Sequence, residues 1–499
     1  MKHKYLLWVW FLFVGFSLYS CGSDDFVPTE DDAAPTMSIN PAPTLPRVSI
    51  TQDERILLDQ WTNKTPKLTQ EQAAEIANNF LGIGNDAPSL SKHAALSPQC
   101  EVLTRTKRPI SKSGNTADVV DTMLYVFNYN DGYAVVSADI RTPMPILAYS
   151  DEGNIHLDSD NPGVNLFFDM AQDYIDYHIS YAESIRDSVE KSLNAKLDEA
   201  LGVSQKSEQG LSKTMVITRK AFVDDLSWKH LSYLSTEKKG PYITTAWHQN
   251  SPYNNFAPVI DGKRCPAGCT AIAFAQLMRY WQRPIYMNGK KINWSSILNE
   301  ADANHKKNVA EFVNNVGTEI NTTFCLSESS AYISDGISML RKYGYTVGNL
   351  IDYSFYNVQT SIDQQYPVII CGDRLVNSAT GERKGHCWLV DGYAKIGYSY
   401  VAHETYVVDY LDDWTGRTST VLEEYDKTGK EYSYYQHFNL GWDIDGPENI
   451  NTRGYYLESI FDVKDEYKIN SNSEPTRYYN DFGNRNYKYS VKISTNIHP

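Results

Sequence analysis

The chain has 499 residues, a formal net charge of −15, and 41% hydrophobic and 13% aromatic residues, with 36 Tyr and 10 Trp. That length accommodates two or three domains with sizeable cores, and an acidic balance without a long basic run excludes nucleic acid as a partner. Seven cysteines are too sparse for a disulfide scaffold, and without a Cys-x-x-Cys no metal or cofactor is expected.

Lys2 and Lys4 precede an apolar run from position 5 to 18 that is shorter than the roughly 17–25 residues of a spanning helix. A basic start and a short apolar stretch read as a secretion signal. The following Leu18-Tyr19-Ser20-Cys21 resembles a bacterial lipobox, with Cys21 as the acylated residue. Gly22-Ser23-Asp24-Asp25 resembles the acidic surface-export tag of Bacteroidetes-type lipoproteins. These resemblances imply an outer-membrane or cell-surface lipoprotein of a Gram-negative bacterium, touching the membrane only through its lipid anchor. Residues 22–48 carry Pro28, Pro35, Pro41, Pro43 and Pro46 among polar and small residues. Such a composition buries no core and reads as an extended tether.

A first α+β domain is expected over 49–193. Thr69-Gln70-Glu71-Gln72 is a capping box, and Ala73, Ile76, Ala77, Phe80 and Leu81 recur at helical spacing until Gly82. Strands over 124–129 and 133–137 flank Asn130-Asp131-Gly132, a hairpin signal. A third strand over 145–150, a turn at 151–153 and a helix over 164–193 follow. The charged stretch 194–240 reads as a linker, with Arg219, Lys220, Lys238 and Lys239 as candidate cleavage points.

The chemistry-bearing residues come later. Cys269 sits where Pro266-Ala267-Gly268 runs into a helix marked by Ala271, Ala273 and Ala275, with Ile272, Phe274, Leu277 and Met278 apolar, and Pro284 stops it. A thiol at a helix N-terminus meets unpaired N–H groups and the positive end of the dipole, which favours thiolate. A thiolate that cleaves amides also needs an acid/base partner, a group to orient that partner and donors for the oxyanion. His386 precedes an apolar strand, 388–390. Asn439 lies in His437-Phe438-Asn439-Leu440-Gly441-Trp442, and Gln249 precedes Cys269 by 20 residues. A Gln249 side-chain N–H with the Cys269 backbone N–H would make an oxyanion hole. Taken singly, these are an ordinary buried cysteine, a core histidine, a turn asparagine and a loop glutamine; the order Gln, Cys on a helix, His on a strand, Asn is the signal.

With that order, "AWHQNSPYN", "PAGCTAIAFAQLMRYW", "GHCWLVDGY", "FNLGW" and "GYYL" resemble the streptopain family of papain-like cysteine peptidases. The upstream "DGYAVVSADIRTPMPILAYSDEG" resembles the streptopain-inhibitor-type pro-segment of that family. The resemblance implies an α+β fold: a papain-like two-lobed catalytic domain over 241–465, helical half plus antiparallel β half, preceded by an α+β pro-domain and followed by an extension over 466–499. It implies a monomeric cysteine endopeptidase made as an inactive zymogen, acting on protein or peptide substrates, with its own pro-domain as cis inhibitor. Cys269 would be the nucleophile, His386 the acid/base, Gln249 an oxyanion donor and Asn439 the residue that orients His386. Two departures stand out. The family usually shows Asn-Trp-Gly-Trp where this chain has Leu440 after Asn439, and residues 396–436, rich in Tyr, Asp and Glu, read as an inserted hairpin or loop. A surface binding lipoprotein that keeps the fold with impaired catalysis is the alternative.

Overall fold

The computed structural model describes residues 53–54, 66–82, 98–107, 119–159, 161–200, 217–223, 232–377, 382–412, 417–441, 453–461, 466–469, 475–478 and 490–499. The signal segment with Cys21, the 22–48 tether and Trp442 lie outside the described residues.

Helix α1 (Gln70–Leu81) begins at the anticipated box: Gln72 N–H donates to Thr69 Oγ1 at 3.3 Å and Thr69 N–H to Gln72 Oε1 at 2.9 Å. Its Ile76, Phe80 and Leu81 are at most 2% exposed, each burial worth roughly 1.5–3 kcal/mol. Four antiparallel strands follow, β1 (Gln99–Lys107), β2 (Val119–Asn128), β3 (Tyr133–Ser137) and β4 (Ile146–Ser150), paired in that order. Beside them, buried Asp139 accepts from Arg141 Nε at 2.7 Å and Nη2 at 2.6 Å and pairs with Lys67 at 3.0 Å. Helix α2 (Pro162–Ala200) is longer than its apolar pattern suggests. Buried Asn161 opens it by accepting from Gly163 N–H at 2.8 Å and Val164 N–H at 3.4 Å, with Pro162 in the first turn where no N–H is needed.

Within the charged linker lie β5 (Ile217–Val223) and β6 (Ser232–Lys239). The short hairpin β7 (Val259–Ile260) and β8 (Lys263–Arg264) leads to helix α3 (Cys269–Trp281), and β9 (Tyr286–Met287) pairs with β10 (Lys290–Lys291). Helices α4 (Trp294–Leu298), α5 (His305–Glu319) and α6 (Ile333–Lys342), strand β11 (Ile351–Asp352) and helix α7 (Phe355–Asp363) complete the helical part. Then come β12 (Val368–Asn377), β13 (Glu382–Asp412), β14 (Arg417–Asn439), β15 (Gly454–Leu457), the pair β16 (Glu466–Ile469) and β17 (Pro475–Tyr478), and β18 (Lys492–Ser494).

Residues 396–412 and 417–436 form an antiparallel ribbon of β13 and β14. The linker strands pair along β13, so Arg219, Lys220, Lys238 and Lys239 stand opposite Val408, Val407, Ala394 and Tyr393 in ladders. Strand β18 pairs with both β12 and β11, which places the C-terminus in the main sheet.

One sheet runs β1-β2-β3-β4-β15-β14-β13-β12-β18-β11. The N-terminal domain joins it through β4, with Tyr149 opposite Tyr455 and Ala148 opposite Tyr456. Alternating side chains point to opposite faces of a strand, and this divides two cores. Ile370, Trp388, Val390 and Phe438 pack with α1, α2 and β2–β4; Ile369, Cys387 and Leu389 pack with α3, α5 and α6. The α+β class is thus observed, with a helical layer on one face of an antiparallel sheet and the N-terminal domain on the other.

Candidate active site

Gly268 precedes α3 at φ 90° with Ser329 O only 3.1 Å from where its Cβ would lie, so a side chain there is both strained and crowded. Cys269 is the first helical residue. The loop before it is pinned: Ala267 N–H donates to Gln249 O at 2.8 Å, and Asn254 Nδ2 to Cys265 O at 2.9 Å. Gln249, 4% exposed, is thereby held two residues from the thiol's own turn. Burial pushes the Cys269 thiol above its ordinary value, and the Glu328 carboxylate adds to the rise. The Cys387 N–H and the Thr270 hydroxyl and N–H pull the other way without reversing it. The helix-end preference for thiolate is therefore overridden in this state. Cys371 and Cys387 stand opposite each other on β12 and β13, and burial raises both thiols, Cys371 to about 12.

His386 is 3% exposed and lies on the other side of β13 from Cys387 and Leu389. Its ring stacks on Trp388 at 5.7 Å and 17°, and Nε2–H donates to Leu440 O at 2.9 Å. Nδ1 has no partner among the described residues. Burial lowers its pKa to about 4, with the Leu440 carbonyl opposing, so the ring is neutral at pH 7. Gly163 of α2 presses on this ring: a Cβ there would lie 2.7 Å from His386 Cδ2, 3.0 Å from Nε2 and 3.0 Å from Leu440 Cδ2.

Asn439, 1% exposed, stands opposite Leu389 and so faces the helical side. Its Nδ2 donates to Thr245 O at 2.7 Å, and its Oδ1 accepts from Gly441 N–H at 3.2 Å. Gln276 Nε2 donates to Asn439 Oδ1 at 3.3 Å, and Trp247 N–H donates to Gln276 Oε1 at 3.2 Å. The structure thus brings Cys269, Gln249 and Asn439 to one side and holds His386 on the other. The anticipated His386–Asn439 contact is not formed, because Leu440 O and Gly163 occupy the imidazole. Leu440, 1% exposed, covers this junction on the N-terminal-domain side.

Five residues in three places escape the sequence reading. Gly163 and Asn161 belong to an Asn-Pro-Gly helix start that was legible as a cap. Gln276 is seven residues after Cys269, close to two helical turns, and so shares its face. Asp391 and His437 form a fully enclosed pair, Oδ1 to Nδ1 2.6 Å, while Asp391 Oδ2 accepts from Ile243 N–H at 2.8 Å. Both lie inside the quoted motifs, yet alternation alone does not show which polar residue turns inward.

Residues 247–449 match the model of the Peptidase C10 family, and residues 65–175 that of the Spi protease inhibitor. Streptopain of Streptococcus pyogenes serotype M28 (strain MGAS6180) is 24% identical over 318 residues, covering 54% of this chain and 68% of streptopain. Streptopain of serotype M1 gives the same identity and coverage. Among solved structures, a fragment of Prevotella intermedia prointerpain A is 17% identical, with 79% of this chain and 98% of that chain covered at a TM-score of 0.40. Active wild-type interpain A cysteine protease of the same organism is also 17% identical, covering 51% of this chain and 94% of that chain, at a TM-score of 0.32.

Proposed function

We propose that the chain is a cysteine-type peptidase of the streptopain (C10) kind, whose model matches residues 247–449, made as a latent endopeptidase whose inhibitor-like pro-segment withholds His386 from Cys269. One observation carries this reading. The His386 imidazole is bonded to Leu440 O and packed against Gly163 on the side of β13 opposite Cys269.

Among the described residues, strand β13 is paired at His386 with β12 alone, since its pairing with β14 begins at Leu389. Gly385 precedes it. Once α2 leaves, the ring loses its enclosure and swings about this half-paired segment towards Cys269. The thiol proton then passes to the imidazole, and the pair becomes thiolate and imidazolium. The thiolate attacks the scissile carbonyl, and the oxyanion receives the Cys269 N–H and the Gln249 side-chain N–H, each such donor worth about 100–1,000-fold in rate. His386 gives its proton to the leaving amine, which departs and leaves a thioester. Next, His386 takes a proton from water, the hydroxide displaces the thiolate, and a carboxylic acid product is released. Asn439 holds the imidazole in orientation throughout. Acylation at Cys21 would hold the unprocessed chain at the envelope, and cleavage within 194–240 would free the peptidase domain from that anchor to act on proteins or peptides nearby.

A thiol-reactive peptidyl probe tests the reading. After maturation the probe should label Cys269 rapidly, and Cys269→Ala should abolish labelling, peptide cleavage and self-processing together. Equal labelling of Cys269 and Cys371 in matured protein, without turnover, would instead establish a binding protein that keeps the fold.

A further inference from the structure

Helix α3 is buried from Thr270 to Met278, and its one carboxamide, Gln276, is 1% exposed. A buried carboxamide in an apolar helix requires partners. Gln276 has three contacts, all to segments that carry the reaction. Its Oε1 accepts from Trp247 N–H at 3.2 Å and from Asn439 Nδ2 at 3.4 Å, and its Nε2 donates to Asn439 Oδ1 at 3.3 Å. The orientation of both amides follows from backbone groups of fixed polarity. Thr245 C=O can only accept, so the end of Asn439 that meets it at 2.7 Å is Nδ2. Trp247 N–H can only donate, so Oε1 faces it, and Nε2 is left for Asn439 Oδ1.

We propose that Gln276 is a positioning residue of the peptidase: its amide locks Asn439 with Oδ1 presented to the site and ties the Trp247–Gln249 loop to the nucleophile helix. The inference rests on Asn439 serving His386. Among the described residues Oδ1 accepts from Gln276 Nε2 at 3.3 Å and from Gly441 N–H at 3.2 Å. A charged imidazolium N–H is the stronger donor and takes its place among them when His386 arrives. Without Gln276, Asn439 keeps Nδ2 on Thr245 but loses the partner that holds its plane. Trp247, two residues before Gln249, also loses its tether to α3.

The test follows the pH dependence of Cys269 alkylation by iodoacetamide in full chains matured by tagged wild-type enzyme, which is then removed. A thiolate–imidazolium pair keeps the wild type reactive well below ordinary thiol titration. In Gln276→Met, alkylation near pH 5 should fall about tenfold relative to wild type while the rate near pH 9 changes less than about twofold. On peptide substrates kcat should fall by a similar factor with KM little changed. Gln276→Asn keeps a carboxamide one methylene short of Asn439, adds no titrating group, and should show the same shift while folding normally. A merely structural role would lower rates equally at every pH. Asn439→Ala separates the two readings: if it leaves the profile unchanged, the assignment of Asn439 falls and this inference with it. If Asn439→Ala shifts the profile and both Gln276 variants match wild type, the inference alone is overturned.

Discussion

Gly163→Ala perturbs the contact between pro-segment and imidazole with a single carbon. That carbon would lie 2.7 Å from His386 Cδ2 and 3.0 Å from both Nε2 and Leu440 Cδ2. Carbon atoms settle near 3.5–4.0 Å apart, so the ring or the helix start must move by close to an ångström. His386 and Leu440 are 3% and 1% exposed and have little room to yield. Overpacking of this kind costs about 1–3 kcal/mol. Alanine recovers at most about 1 kcal/mol through its helix preference over glycine. The net effect weakens closure, and at about 1.4 kcal/mol per tenfold it raises the open fraction of the unprocessed chain up to about thirtyfold. The assay is the initial rate at which iodoacetamide alkylates Cys269 in freshly purified, unprocessed chain, with mass spectrometry to confirm that no cleavage has occurred. Gly163→Ala should react faster than wild type and mature sooner, while the matured enzymes, which lack the residue, should be indistinguishable. Equal alkylation and maturation rates in variant and wild type would refute the argument that Gly163 secures latency.

Acid should open the zymogen. The closed state holds the His386 pKa near 4, below its ordinary 6.5, so the open state binds the proton more readily. Closure is at full strength above about pH 6.5 and weakens as pH falls towards about 4, by roughly 2–4 kcal/mol over the window. Maturation rate measured across that range should rise as pH falls, and a flat profile would contradict the linkage. Asp139→Ala removes the carboxylate shared by buried Arg141 and half-buried Lys67, which keep Glu183 and Asp121 as second partners. The variant should lose about 1.5–3 kcal/mol of pro-segment stability in urea unfolding, with turnover of the matured enzyme unchanged; a loss below about 1 kcal/mol would show that the cluster is structurally idle.

Local patterns carried α1, the β2–β3 hairpin and the start of α3 directly from the sequence, because capping, turn chemistry and spacing act over a few residues. The chemical identity of the site was legible for the same reason: Cys269, His386, Gln249 and Asn439 sit in short motifs. Their mutual arrangement was not. Whether His386 faces α3 or α2 depends on which way a half-paired strand turns its side chains, and that is decided by Gly163 and Leu440, 223 and 54 residues away along the chain. The charged stretch before Lys239 hid β5 and β6 because their partners lie in the distant β13–β14 ribbon. Gln276 sat unremarked in an apolar helix, since a single polar residue there gains meaning only from the Asn439 and Trp247 groups it meets.

The seam between β4 and β15 gives maturation a second effect. Tyr455 stacks on Tyr149 at 5.1 Å and Tyr456 meets Phe167 edge-on at 4.8 Å, so the pro-segment covers a ledge of tyrosine rings and the backbone edge beneath it. Its departure strips those rings of their partners, on the order of a few hundred Å² of aromatic area, and opens a strand rim ready to pair with any extended chain. On the proposed activation, the freed peptidase would therefore be adhesive. The lifetime of a freed peptidase would then depend on what next occupies that rim.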